Sequence, residues 1–500
     1  MDRRIARRVA AAGITVGVLA ELVLDGPAYG LNIGILVVAM LGAGWLLRRP
    51  GRPPDPLDSW LPATAVVLAA FVGIRGDPFL ALLDTAGAVA FLGASLVAIS
   101  GMSVTRRSAS MIAAMVAWTV EALIAGTPRV ALAARSRNGD APARIPEWLM
   151  ALGRGLLLGI PLALIFALLF ASADPIFRRG LTDLIGWRID LASMAGRMLF
   201  TLACAWFAAG VLSITVLGIP ALERASLGAA SQSGGGVLAS PRGLGGTEAL
   251  VILAVIDIVI GTFVGLQVAY LFGGLDTLVA AGLTYSDYAR RGFFELVAAA
   301  CLAGALVMIL EATVTRRSRP YLVGLLALLL LTAVVLVSAA VRLRLYQDAY
   351  GWTELRLYVL TAICALAAAL AAMIALALVD RMRWLGHGLA AIGVVALLCL
   401  NLLAPAAFVA ARNVERVIDP SLVPPDGHAG LDAGYLGILP DDAIPVLVQA
   451  LPELPAAERD DLLRLLQARR LELATDPTFA SPVAWNLGRE RARDALATLP

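Results

Sequence analysis

The residues in this chain that could do chemistry are few and bunched. The stretch RLRLYQDAYGWTELRLY, residues 342–358, carries Arg342, Arg344, Tyr346, Asp348, Tyr350, Glu354 and Arg356 between two almost wholly apolar runs. Guanidinium, carboxylate and phenol groups in that mixture either pair with one another and lock helix ends together, or bind an anionic group such as a lipid headgroup. A spacing of four puts Arg342 beside Tyr346, and Glu354 beside Tyr358, on one helix face. GLTYSDYARRGFFEL at 282–296 adds Tyr285, Tyr288, Arg290, Arg291 and Glu295, and ASADPIFRRGL at 171–181 adds Asp174. Asp257, in AVIDIVIG, stands apart. An acid within an apolar run is a functional candidate by default, with Arg197 or Glu295 as its expected partner; a protonated Asp bonded to a neighbouring helix is the plainer alternative. Glu311 is expected to meet Arg316 or Arg317, Asp84 to join the polar set, and Glu21, Asp25 and Asn32 to shape a turn.

Signatures of established catalysis are missing. There is no H-E-x-x-H, no G-x-x-x-x-G-K-[ST] and no G-x-S-x-G. Only His387 and His428 occur, and Cys204, Cys301, Cys364 and Cys399 all fall in apolar runs. The cysteines read as small buried hydrophobes rather than a disulfide framework, and no metal or other cofactor is expected. The pair GLNIG at 30–34 has the spacing of a helix-packing motif.

The elements that must position these groups follow from composition. The chain has 500 residues, 60% of them hydrophobic and only 15% charged, and its mean hydropathy is +0.83. Soluble domains are about 45–50% apolar and about 25% charged, so the bilayer is the expected solvent. The formal net charge of +3 gives no reason to expect nucleic acid, and every basic residue is Arg. A hydrocarbon core of about 30 Å needs about 20 apolar residues in a helix. Candidate spans are 9–24, 31–47, 58–74, 79–100, 155–173, 191–217, 248–273, 293–314, 321–341, 357–379 and 386–410, about eleven in all. Lipid demands that backbone groups bond internally, so the fold class is all-α, a polytopic helical membrane protein. The basic start followed by an apolar run reads as a retained first helix, because Glu21 and Asp25 occupy the place of a cleavage site.

Arginine sets the direction, since loops rich in it stay on the inner side. With the N-terminus inside, the clusters at 3–8, 48–52, 106–107, 129–154, 316–319 and 381–383 all fall inside. The segment MIAAMVAWTVEALIAG, 111–126, is short and carries Glu121, so it is read as an interfacial or re-entrant inner helix. Six tryptophans, Trp45, Trp60, Trp148, Trp187, Trp352 and Trp384, sit near span edges. The chain divides into a four-span region (1–110), an inner helix and basic loop (111–153), a main membrane domain (154–412) with a Gly/Ser-rich inner linker at 225–247, and a helical tail outside the bilayer (413–500), where Asp441 is a candidate helix cap. In this topology the stretches 171–181, 282–296, 342–358 and 405–417 share the outer side.

Three motifs carry a resemblance. SADPIF closing one span, YARRGFFELV opening another and LRLYQDAYGWTELRLY between two more resemble the bacterial membrane proteins grouped as domain of unknown function 4173, with their relative 4153. The resemblance covers about residues 150–420, and more weakly LDGPAYGLNIG near the N-terminus. It implies a multi-pass protein of the bacterial cytoplasmic membrane and no particular activity. The residues themselves favour binding or transport of a small solute or lipid by the outer polar cluster and Asp257. One alternative is an envelope sensor or assembly scaffold that recruits a protein partner through the tail. Another is a transferase acting on a lipid-linked substrate. The balance leans away from an enzyme, and membrane lipids are expected partners.

Overall fold

The computed structural model describes residues 3–24, 28–48, 51, 53–106, 127, 130, 194–217, 246–272, 293–314, 318–424, 427 and 430–500. Its helices are α1 (Arg3–Leu24), α2 (Leu31–Leu47), α3 (Trp60–Ile74), α4 (Pro78–Ile99), α5 (Met194–Leu217), α6 (Gly246–Phe272), α7 (Phe293–Thr313), α8 (Arg319–Tyr350), α9 (Glu354–Leu378), α10 (Leu385–Leu403) and α11 (Pro405–Ile418). Short helices follow: α12 (Ala433–Gly437), α13 (Ile444–Ala450), α14 (Ala456–Thr475) and α15 (Leu487–Ala497). No strand occurs among the described residues. Five helical segments there are long and apolar enough to cross a membrane. The exterior agrees: Ile258, Leu302, Val323 and Leu402 are between 67% and 75% exposed on helices with no polar face. The expected span 155–173 and the expected inner helix 111–126 lie outside the described residues, as does the linker 225–247 except for its last two residues, which begin α6.

Two groups of helices form the bundle. The first packs α1 to α5 around Val37, Leu68, Ala88, Leu96 and Leu212. The second packs α6 to α10 around α8, with Leu253, Val307, Leu328, Leu336, Ile363 and Leu370 inside. Helix α10 joins them by lying against α3 and α4. The closest packing is between α1 and α5. A Cβ at Gly17 would stand 2.5 Å from the Ala205 Cβ, and one at Gly13 2.5 Å from the Ala209 Cβ. Small residues four apart on both helices let the backbones touch, the usual device for helix association in lipid. The motif expected to do this, GLNIG, packs less tightly on its neighbour helix: a Cβ at Gly34 would stand 3.8 Å from Ala69 O, and Gly30 lies under the backbone of Ala484 and Trp485.

Three further expectations are corrected. The polar stretch 342–358 is not a loop between spans that end at 341 and resume at 357. It is the end of one helix, a three-residue joint and the start of the next, because α8 runs 32 residues to Tyr350. At about 1.5 Å per residue such a helix outreaches a 30 Å hydrocarbon core by about 18 Å, so its last polar turns stand beyond the lipid. The span expected over 386–410 breaks at Ala404, which takes φ 54°, and Pro405 opens the amphipathic α11; proline suits the first turn of a helix, where its missing N–H is not needed. Of the cysteines, Cys301, Cys364 and Cys399 are exposed on the apolar exterior rather than buried, since a side chain facing lipid needs no burial.

The two ends of the bundle are built differently. At one end, Asp58 accepts from the Val104 and Thr105 amides at 3.0 and 2.8 Å, and the Trp60 indole donates to Thr105 at 3.1 Å. This stitches the α2–α3 connection to the exit of α4. At the other end, helices α11 to α15 sit over the bundle. They share a core with it in which Leu357 of α9 packs among Val409, Val414, Leu436, Ile444, Leu447 and Leu462. This second end is called the capped end below.

Candidate functional site

The capped end is where buried polar groups gather, and each is placed by a helix terminus. Asp77 precedes Pro78 and caps α4: its Oδ1 accepts from the Phe79 and Leu80 amides at 2.9 and 3.1 Å, as an N-cap acid should. Its other oxygen accepts from the Tyr358 hydroxyl at 2.5 Å. Tyr358 and Glu354 are one turn apart on α9, so the Glu354 carboxyl lies beside Asp77. Asp442, on the turn before α13, accepts from the Gly76 amide at 3.0 Å. The approach is close: a Cβ on Gly488 would stand 2.6 Å from that same Gly76 nitrogen.

Three carboxylates from distant parts of the chain thus meet at one interface. Arg75, half-buried, is the cation that faces Asp442 and Asp84. Burial pushes the Asp442 carboxyl up from 3.8 to about 6, against the pull of Arg75 and the Gly76 amide. Tyr29, whose hydroxyl donates to the Gly76 carbonyl at 2.9 Å, is held above its ordinary value by burial and then by Asp441. Deeper in the bundle, Asp84 lies two turns along α4 from Asp77 and is fully buried. The Asn401 amide donates to its Oδ1 at 2.8 Å. Asp84 Oδ2 and Asn401 Oδ1 have no partner among the described residues.

The cap is fastened around this cluster by bonds to the helix ends. Ala28 N donates to Thr478 O at 3.0 Å and Leu31 N to Trp485 O at 3.1 Å. Asn486 is used three ways: its amide donates to Val72 O at 2.9 Å and Arg75 O at 2.7 Å, and its Oδ1 caps α15 through Arg489 N. Asp441 is not a helix cap. It is buried and pairs with Arg469 at 2.7 Å and Arg489 at 3.6 Å. The Arg489 guanidinium also lies over the rings of Phe479 and Tyr29, at 4.2 and 5.4 Å. Desolvation depresses the Arg489 pKa, with Asp441 opposing it.

The joint between α8 and α9 is clamped from α11. Asn413 Oδ1 accepts from Trp352 N, and its amide donates to Trp352 O, both at 2.8 Å. Arg416 is buried and donates to the carbonyls of Gln347, Asp348 and Ala349. A guanidinium there satisfies the orphan carbonyls of a helix C-terminus and complements its dipole. Gly351, at φ 80°, ends α8 in a positive-φ conformation that favours glycine.

Among the residues singled out from the sequence, Glu354 joins this group, while Asp84, expected in the polar set, lies deeper beside Asn401. Arg342, Arg344, Tyr346, Asp348 and Tyr350 occupy the last turns of α8. Arg356 stacks over Tyr346 at 4.0 Å and bonds the Gly351 carbonyl at 2.5 Å, and Tyr346 meets Tyr350 edge-on at 5.1 Å. Arg344 and Asp348 line a surface cavity with Trp352 and Arg412. Asp257 is not in the cluster. It lines a shallow groove of about 530 Å³ with Val323, Gly324 and Arg319, toward the start of α8, and its Oδ1 has no partner among the described residues. Glu311 accepts from the Tyr321 hydroxyl at 2.9 Å, while Arg316 and Arg317 lie outside the described residues. So do Asp174, Tyr285, Tyr288, Arg290 and Arg291, together with the side chains of Glu295 and Arg197. Asn32 does shape its turn: its amide donates to Val23 O and Ala28 O, and its Oδ1 accepts from Gly30 N and Ile33 N.

Sequence reasoning passed over Asp77, Tyr358, Asp442 and Asn486 as site residues. Two carried a local signal, for Asp77 before Pro78 and Asn486 before LGRE are both helix-start patterns. No group of three or more His, Cys, Asp or Glu among the described residues has metal-binding geometry.

A family model described as "Domain of unknown function (DUF4153)" matches residues 63–450. Of the two related families that the motifs resemble, this is the one matched. No curated protein and no solved structure matches the chain. The matched stretch takes in Asp77, Glu354, Tyr358 and Asp442, while Asn486 and Arg489 lie beyond it.

Proposed function

The chain belongs to the DUF4153 family, and from that premise we propose that it is a multi-pass membrane protein that senses proton activity at one membrane face through the docking of its C-terminal cap. One observation carries this reading. Asp77, Glu354 and Asp442 converge under the cap, so that three carboxyl groups share one interface with Arg75. Full ionisation would place three like charges around one arginine in a site of low polarity, and like charges sharing such a site repel.

The sign follows. Asp442 binds its proton more tightly in the docked form, about 6 against 3.8. Its contribution to docking is therefore full below about 3.8 and is lost as pH rises through about 6. The charged and titratable groups around it, Arg75, Tyr29, Asp77, Glu354 and Asp441, include one direct cation, so proton loss is poorly compensated. Transport gains less support, because Asp257 lines an apolar groove apart from the cluster.

Amide hydrogen exchange on the full chain in detergent tests the reading, with rates corrected for intrinsic pH dependence. Protection at Leu31 and Gly76, whose amides bond the cap, is expected to fall between pH 5.5 and pH 8. The variant Glu354→Gln with Asp442→Asn is expected to keep it. Equal protection of the unmodified chain at both values would count against proton sensing.

A further inference from the structure

The cavity beside the capped end has a composition that the proton-sensing reading does not use. It measures about 340 Å³ and lies between the last turns of α8 and helix α11. Trp352, Phe408 and Leu422 supply apolar walls, and Arg344 and Arg412 line it with Asp348 and Glu415. Arg344 makes no hydrogen bond or ion pair with any described residue. Arg412 lies 5.4 Å from the Phe408 ring centroid and pairs with Glu415 at 2.7 Å. That pair is half-exposed, and exposed pairs of this kind hold little energy, so the guanidinium is available to a better acceptor.

Position selects the occupant. Along α8, Leu330, Val334, Val337 and Val341 are between 40% and 63% exposed, spaced three or four apart. Helical spacing makes them one stripe, and it leads up to Arg344 and Asp348 at the cavity. Arg416 also lines the cavity on the α11 side. A continuous apolar track that ends at two guanidiniums and an indole has the layout of an acyl chain below a phosphate. We propose that this cavity holds the phosphate headgroup of a membrane phospholipid, with Arg344 and Arg412 on the phosphate oxygens, Trp352 and Phe408 against the glycerol region, and one acyl chain along the α8 stripe.

The test is native mass spectrometry of the full chain in neutral detergent, titrated with phosphatidylglycerol, with phosphatidylcholine and with inorganic phosphate. One retained phosphatidylglycerol is expected. An arginine near a membrane surface adds about fivefold in lipid affinity, so Arg344→Gln with Arg412→Gln is expected to lower retention by more than about tenfold, while Arg344→Lys keeps most of it. Arg464→Gln, an exposed change on α14, serves as control and is expected to bind as the unmodified chain does. Both arginines are exposed, so an unchanged melting temperature separates lost binding from misfolding. Retention unchanged in the double variant would overturn the proposal. So would full displacement of the lipid by millimolar inorganic phosphate, which would mark a site for soluble phosphate.

Discussion

At the scale of single residues, the cap is held by side chains that each answer several backbone groups. Asn486 is the clearest. Replacing it by alanine orphans the Val72 and Arg75 carbonyls and removes the cap of α15. Buried groups left without partners cost about 1–3 kcal/mol each, so Asn486→Ala is expected to lower the melting temperature and raise exchange over residues 72–76. Asp442→Asn is expected to act differently. It keeps an acceptor for Gly76 but removes the charge, so stability should become flatter between pH 4 and 7 while changing little at pH 4. A thermal melt across that range distinguishes the two variants. Much of this site was illegible in the sequence for a definite reason. Asp77 and Asp442 are 365 positions apart, on either side of the interface that Gly76 closes, and no local pattern encodes such a meeting. Glu354 was legible because its polar surroundings contrast with the apolar runs beside it.

At the scale of elements, apolar length was a dependable guide, because lipid allows only helices of a certain reach. It was less dependable where a helix leaves the bilayer. Helix α8 continues to Tyr350 past the last apolar residue expected in its span, since propensity and its C-terminal clamp by Arg416 carry it on. The break at Ala404–Pro405 was hidden by apolar residues on both sides. Packing motifs were legible in kind but misplaced in position: GITVG in α1 does what was expected of GLNIG. Gly17→Leu is the matching test. An added side chain has only 2.5 Å to the Ala205 Cβ, and overpacking typically costs about 1–3 kcal/mol, more where a backbone must move. The expected result is separation of α1 from α5, read as new protease sensitivity in the first 24 residues with the cap still docked. The same change at Gly42, which has open space around it, is expected to be tolerated.

At the scale of the whole molecule, loop contacts stitch one end of the first helix group, while the other end of the bundle carries a cap that buries acids. On the proposed reading the capped end is the responsive one, since proton loss there adds negative charge to a buried site. The direct measurement is a spin-label distance between Leu82→Cys on α4 and Leu471→Cys on α14, both more than 60% exposed, with the four native cysteines changed to serine. A narrow distribution at pH 5.5 that broadens and lengthens at pH 8, and stays narrow at both values in Glu354→Gln with Asp442→Asn, is the predicted result. Distributions that are the same at both pH values in the chain with all its acids intact would contradict the account.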